Sequence, residues 1–335
     1  MLAGWLLIPT TASAQTVTFD LDEDRAQALG IGDRIESELT DAAEVELHVI
    51  DLDDYLAEFA RAAALSSKGM GVDYVSHPKW FTVGAALGSA VSGLSPDLVR
   101  DEGSLPDSGF AFMAAVHVGV NLGAFDARDQ VSDRFRVFAS GLGFRTPSEA
   151  AFQAKMWNLG LHLQVDAIRP VTVGTLGGAW GGLQITTGFE HNVYELALTQ
   201  DLPVSVDILR TTTTWAAEGY YTIHTQANAI PLEVSTSFRF VVFTLFGGCG
   251  LDFDFGASSN ATAELSGPVR VDVDRAEEPI GTGSVALDGS GEANGGRFRG
   301  FYGAQLNIRS VRLYGQANFG IDRTYGVFVG LGVER

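Results

Sequence analysis

The sequence predicts an all-β fold, an antiparallel up-and-down β-barrel that crosses a membrane with about ten strands. Three observations favour this fold. Apolar and polar residues alternate over long runs, tight turns are interspersed with long polar connections, and aromatic residues fall near the predicted strand ends. A small N-terminal helical or α/β extension precedes the predicted barrel.

The alternation is clearest in Trp157–Val165. Trp157, Leu159 and Leu161 fall on one side of this run, whereas Asn158 and His162 fall on the other. A period of two is that of a β-strand with one apolar and one polar face. In a soluble protein the apolar face is buried, but in a membrane barrel it faces lipid and the polar face lines the lumen.

Runs of this kind recur from Trp80 to the end of the chain. They have about the 9–11 residues of a tilted transmembrane strand, whereas soluble strands average about five or six. The stretch 191–229 either extends strands above the membrane or supplies a further hairpin, which gives an alternative of twelve strands. The ten predicted strands are approximately residues 80–92, 109–122, 133–144, 155–167, 171–190, 229–240, 241–256, 295–308, 311–321 and 324–334.

The connections between these runs are of two kinds. Three tight turns share the order Arg-x-Val and begin at Arg169, Arg239 and Arg309, whereas connections 191–229 and 257–296 are long and polar. Bacterial outer-membrane barrels have short periplasmic turns and long extracellular loops. We therefore expect the Arg-x-Val turns, and with an even strand number both barrel termini, on the periplasmic side.

Aromatic residues then form two girdles, as expected for membrane interfaces. The predicted outer girdle consists of Phe110, Phe112, Trp157, Phe189, Phe253, Phe255, Phe319 and Tyr325. The predicted inner girdle consists of Phe81, Phe238, Phe240 and Phe243.

The chain divides into three predicted parts. Residues 1–14 are typical of a signal peptide, with a short apolar stretch and an Ala-Ser-Ala cleavage motif before Gln15. Residues 15–70 form an acidic extension, and residues 78–335 form the barrel. Between Asp20 and Leu65, fourteen acidic residues and three arginines give −11 of the chain's net charge of −19.

The acidic extension leaves three interpretations open. Asp51–Leu65 predicts an amphipathic helix, because Tyr55, Leu56 and Phe59 share one face. The extension is a small periplasmic α/β unit, a helical plug inside the lumen, or a solvated acidic segment.

Composition excludes some classes of function. The strongly acidic balance argues against nucleic-acid binding, which needs basic patches. A single cysteine, Cys249, excludes an internal disulfide. The low charged fraction of 19% and the 40 glycines are typical of a transmembrane barrel.

Together, the signal peptide, the repeated β-strands and the alternating C-terminal strand resemble bacterial outer-membrane β-barrel proteins as a superfamily, over residues 80–335. The resemblance implies a Gram-negative outer membrane, with membrane lipid, lipopolysaccharide and the barrel-insertion machinery as partners, and small solutes as possible ligands. The chain departs from the pattern at its end, where Val333-Glu334-Arg335 replaces the usual terminal aromatic residue.

The polar strand faces supply the candidate functional residues. These side chains form a filled network in a narrow barrel, the selective lining of a pore, or an enzyme site. We expect no enzyme, because no convincing Ser/His/Asn or Asp/His set is present. The lumen-facing candidates are His117, His162, Asp166, Glu233, Arg239, Asp252, Asp254, Arg299 and Arg312.

No cofactor or metal site is expected either. Carboxylates two residues apart occur in Val271–Glu278 and in Leu251–Gly256. This spacing can bind calcium weakly, but in strands it is more typical of one polar face.

The sequence thus predicts an outer-membrane barrel with a structural or narrow, porin-like diffusion role. The alternative is a surface-exposed adhesin or ligand-binding barrel that acts through loops 191–229 and 257–296. A secreted soluble β-protein is the third hypothesis.

Overall fold

The fold is taken from a computed structural model of the chain. The predicted signal peptide lies outside the described residues except for Ala14. The described residues are 14–30, 32–48, 52–75, 78, 80–93, 108–125, 131–147, 152–173, 178–208, 211–273 and 276–335.

Thirteen strands, three α-helices and two short 3₁₀ helices (Leu122–Ala124 and Ser132–Arg134) lie within the described residues. No helix among those residues is long and apolar enough to cross a membrane. The helices are α1 (Glu23–Ala28), α2 (Gly32–His48) and α3 (Leu52–Leu65). The strands are β1 (Ala14–Leu21), β2 (Phe81–Ser92), β3 (Gly109–Asn121), β4 (Phe135–Arg145), β5 (Phe152–Ile168), β6 (Val171–Val173), β7 (Gly178–Ile208), β8 (Thr211–Phe240), β9 (Phe243–Val273), β10 (Ala276–Glu292), β11 (Gly295–Ile308), β12 (Val311–Gly320) and β13 (Tyr325–Glu334).

Ten of these strands close into an antiparallel barrel. The order around the ring is β2-β3-β4-β5-β7-β8-β9-β11-β12-β13, and β13 pairs with β2 to close it, with Val333 opposite Val83. Closure pairs the backbone groups that an open sheet leaves at its edges, as a membrane-spanning sheet requires. The predicted ten-stranded antiparallel barrel is confirmed.

The two faces of the ring differ as the alternation predicts. On β5, Trp157, Leu159 and Leu161 are exposed on the outside, whereas Asn158 and His162 are buried inside. The residues predicted for both aromatic girdles are likewise exposed on the outer surface. The ring therefore has an apolar exterior and a polar interior.

The two ends of the ring are unlike. One end carries two-residue turns at Val241–Val242 and Arg309–Ser310. The first residue of β2 and the last residue of β13 also lie at this end. We call it the short-turn end. At the opposite, extended end, β7, β8 and β9 continue far beyond the ring and pair with one another there.

One predicted turn is wrong. The chain does not reverse at Arg169-Pro170, because β5 and β6 both pair with β7, with Ile168 opposite Leu183 and Val171 opposite Trp180. Pro170 has no N–H and interrupts the ladder without reversing it. The predicted strand 171–190 therefore consists of the short strand β6 and the first part of β7.

Beyond the ring, a five-stranded sheet forms in the order β1-β10-β9-β8-β7. The stretch 191–229 thus extends β7 and β8 beyond the ring, and no twelfth ring strand comes from it. Helices α1 and α2 pack on the inner face of this sheet, where Ile35 and Leu39 join Trp215 and Val269 in one buried cluster. We call β1, α1 and α2 the cap.

A bulge in β9 allows this one strand to line the lumen of the ring and then to face the helices of the cap. Inward-facing side chains on β9 are even-numbered up to Asp254 and odd-numbered from Ala257. The pairing with β8 shifts register at this point, and Gly256 there has φ +59°. Glycine adopts this conformation readily, so the lumen face of β9 continues as the apolar face beneath the cap.

The chain then passes through the ring. Helix α3 packs against β2, β3, β8, β9 and β10, and residues 66–75, the lumen segment, continue towards the short-turn end. We call α3 and the lumen segment together the plug, residues 52–75. The fit is tight, because a Cβ at Gly109 or Gly291 would overlap the backbone of Glu58 or Ala57.

We predict that Gly291→Ala destabilises the barrel by about 1–3 kcal/mol, because the added methyl group displaces the α3 backbone. Gly143→Ala is the matched control, since its Cβ would meet only the Cβ of Trp157, at 3.8 Å, and should change stability by less than about 0.5 kcal/mol. Urea unfolding in micelles measures both variants. Equal midpoints would contradict the tight packing of α3.

Candidate functional site

The centre of the lumen is organised by Lys68, which lies in the lumen segment. Its ammonium is 3.7 Å from Asp252 on β9 and 2.9 Å from Glu190 on β7, and its side chain is only 1% exposed. A buried ammonium is strongly destabilising unless it is paired. The plug therefore carries the charge that neutralises carboxylates of the wall.

Glu190 also binds residues other than Lys68. One carboxylate oxygen lies 3.0 Å from His162 Nε2, and the other accepts a hydrogen bond from the Ser67 hydroxyl at 3.3 Å. Asn192 in turn donates to the Ser67 hydroxyl at 2.7 Å. Two adjacent residues of the plug are thus held by one wall carboxylate.

A second group of charges lies on β8, β9 and β11. Arg299 donates to Asp252 at 2.7 Å and also pairs with Glu233. Tyr74 of the plug donates to Glu233 at 2.8 Å, and its ring packs 4.8 Å from that of Phe301. The plug therefore inserts an aromatic side chain into the wall network as well as a cation.

Four further ion pairs lie in the same interior. Arg312 lies 3.2 Å from Asp73 of the plug and also pairs with Glu334. Arg136 on β4 pairs with Asp166 on β5. Asp254, beside the centre, accepts a hydrogen bond from Arg297 at 2.6 Å.

Eight of the nine predicted residues are buried inside the ring. Asp166, Glu233, Asp252, Asp254, Arg299 and Arg312 take part in the ion pairs above, and His162 binds Glu190. His117 is buried beside the backbone of Met70.

Arg239 is the exception and requires a correction. It is exposed, and its Nε donates to the carbonyl of Val241 at 3.4 Å. The alternation gives it the correct strand parity, but it is the second-last residue of β8. Its side chain therefore lies at the short-turn rim and not within the buried network.

Sequence reasoning missed half of the network. Arg136 and Glu190 sit on polar strand faces and were detectable from the same alternation. Lys68, Asp73 and Tyr74 lie in a segment without periodicity, where the predicted extension (residues 15–70) meets the predicted barrel (residues 78–335). No local signal marks these three as interior residues.

The remaining space inside the network is small. A cavity of about 10 Å³ lies between plug and wall and is lined by residues including Ser67, Met70, His162 and Glu190. This volume is that of roughly one water molecule. Around Lys68, the lumen between plug and wall is thus filled with side chains.

The carboxylates of this network face lysine and arginine side chains. Within the described ranges, no group of three or more His, Cys, Asp or Glu side chains is placed to hold a metal ion. The paired spacing Asp252/Asp254 is used for contacts with Arg299 and Arg297. In the described part of the chain His162 Nδ1 has no hydrogen-bond partner.

We predict that Lys68→Met destabilises the protein by about 3–5 kcal/mol, because it leaves buried carboxylates unpaired. Lys155→Met is the matched control. Lys155 also pairs with a glutamate, Glu195, at 2.8 Å, but both side chains are about half exposed, so its loss should cost at most about 1 kcal/mol.

Urea unfolding of both variants in the same micelles measures this difference. The double variant Lys68→Met/Glu190→Gln should recover part of the loss, since it removes both charges. Equal stability of the two single lysine variants would show that the plug is not held by Lys68.

The fold is similar to several solved structures at low identity. The translocator domain of the autotransporter NalP from Neisseria meningitidis is 10% identical, with a TM-score of 0.34, over 88% of this chain and 98% of that chain. The transport unit of the autotransporter AIDA-I from Escherichia coli is 8% identical, with a TM-score of 0.28, over 84% and 98%. The toluene transporter TbuX from Ralstonia pickettii is 8% identical, with a TM-score of 0.25, over 84% and 99%.

Sequence comparison gives the family. No curated protein sequence matches the chain. A family model described as Lsa36-like matches residues 14–334, almost the whole length, and the chain therefore belongs to the Lsa36-like family.

Proposed function

We propose that this protein is a plugged barrel of a Gram-negative outer membrane, with the cap on the cell surface. The apolar exterior of the ring and its two aromatic girdles support insertion in a bilayer. The short turns support a periplasmic short-turn end. In this orientation the cap and the five-stranded sheet stand outside the cell, and the N-terminal extension is not periplasmic.

The observation that carries the proposal is the buried contact of Lys68 with Glu190 and Asp252. A water-filled pore would leave these charges hydrated and the lumen empty. Here the plug fills the lumen, and its removal would leave the wall carboxylates without a partner. A role at the surface is therefore better supported than diffusion of solutes through the barrel.

The cap is the part suited to contact the outside. Its helices bury Ile35 and Leu39 and expose acidic side chains on the opposite face, among them Glu36, Glu38 and Asp41. We propose that ligands are bound by this cap and the extended strands rather than by the lumen. Ligand binding at the surface, not catalysis, is the role that we assign.

Lipid, lipopolysaccharide and the barrel-insertion machinery remain the proposed partners of the ring. They follow from the proposed location and need no contact with the plug.

Labelling of single cysteines tests the orientation. Cys249 is the only cysteine, so Cys249→Ala gives a background without thiols. In intact cells, a membrane-impermeant maleimide should label Asp24→Cys on exposed α1 but not Ser310→Cys at the short-turn end. Ser310→Cys should react only after permeabilisation, and the reverse pattern would refute the orientation.

Planar-bilayer recording tests whether the lumen is closed. The full chain should insert without a steady current. Lys68→Asp places a like charge beside Glu190 and Asp252 and should produce channel openings, whereas Arg270→Asp at an exposed pair should not. A steady ohmic current from the unmodified chain would refute the plugged state.

A further inference from the structure

The outer face of β5 changes in chemical character along its length. From the middle of the ring towards the extended end it presents Leu163, Leu161 and Leu159, then Trp157, then Lys155. Apolar, aromatic and cationic side chains thus follow one another in the order of a lipid's tail, interface and headgroup.

A cavity lies at the cationic end of this face. Its volume is about 260 Å³, close to the lower limit of roughly 300 Å³ for small-ligand pockets. Arg145, Lys155 and Glu195 of its lining share the outer face of the sheet, beyond the girdle residue Trp157, whereas Ala154 and Leu196 belong to the interior side. Its polar lining comprises Arg145, Thr146, Gln153, Lys155, Glu195 and Thr222.

The cavity carries a net positive charge in a chain whose net charge is −19. Lys155 contacts both carboxylate oxygens of Glu195, at 2.8 and 3.0 Å, which holds its ammonium against the sheet. Arg145 lies directly opposite Lys155 in the β4–β5 register and is exposed. Two cations therefore face one carboxylate on the outer side of the wall.

Arg145 and Lys155 have complementary roles for a phosphate. A guanidinium presents paired N–H donors that match two phosphate oxygens, and an ammonium adds a point charge. Basic pockets at a membrane interface bind anionic headgroups. Leu159 and Leu161 lie below the pocket, where the acyl chain of the same lipid would run.

We infer that Arg145 and Lys155 bind the phosphate of an anionic lipid in the outer leaflet, with its tail along Leu159 and Leu161. The inference rests on the proposed orientation in the membrane. It assigns a specific lipid site to a barrel whose exterior is otherwise apolar.

A lipid titration of the full chain in zwitterionic detergent, followed by native mass spectrometry, tests this site. The probes are phosphatidic acid, phosphatidylcholine and inorganic phosphate. Phosphatidic acid should be retained by the wild-type chain, and Arg145→Gln/Lys155→Gln should weaken its retention roughly thirtyfold, since two interfacial cations are removed.

The matched control is Arg25→Gln/Arg270→Gln. Both arginines form exposed ion pairs, with Glu278 and Glu277 at 3.0 Å, and lie in or beside the cap. This variant should retain phosphatidic acid like the wild-type chain. If both double variants lost phosphatidic acid equally, retention would depend on the net charge of the chain alone, and the proposed site would be overturned.

Three other results would overturn the inference. They are equal retention of phosphatidylcholine and phosphatidic acid, wild-type retention by the site variant, and displacement of the lipid by an equal concentration of inorganic phosphate.

Vesicle flotation separates the failure of the lipid site from the failure of the proposed function. A chain that does not float with the vesicles refutes the membrane barrel. A chain that floats, but whose site variant retains phosphatidic acid like the wild-type chain, refutes only the lipid site.

Discussion

The rest of the structure depends on the ion pairs that Lys68 makes with Glu190 and Asp252 inside the ring. The wall places several carboxylates in a space from which water is excluded, and a buried carboxylate without a partner is strongly destabilising. Arginines of the wall neutralise some of them, but Lys68 belongs to the plug. The ring and the plug are therefore stable together, since each supplies charges that the other needs.

This dependence fixes the path of the chain. Because the plug runs from the extended end to the short-turn end, the preceding residues of the cap must lie at the extended end and β2 must start at the short-turn end.

The extended strands then serve two packing roles. Below the bulge at Gly256 they line the polar lumen, and above it they present the apolar face that α2 covers.

Sequence patterns predicted those features that repeat locally. Seven of the ten ring strands were predicted within three residues of their observed bounds, because each has an apolar outer face and a polar inner face with a period of two. The other three, β7, β8 and β9, were predicted too short, since they continue beyond the ring. Eight of the nine polar candidates are buried inside the ring. The pattern failed where strands end or are interrupted. Alternation gives the face of Arg239 but not its distance from the rim. Pro170 breaks the ladder of hydrogen bonds, but the sequence does not show that the chain continues past it without reversing.

The sequence by itself determined most of the ring strands, their two faces, the outward position of the girdle aromatics and the acidic character of the cap. Only the tertiary structure decided that residues 66–75 fill the lumen and that the cap covers strands that belong to the ring. The reason is physical. The contacts that hold the plug join residues far apart in the chain, such as Ser67 and Glu190 at a separation of 123 residues. The lumen segment has no periodic pattern, and its position is set by charges on several strands that come together only when the ring closes.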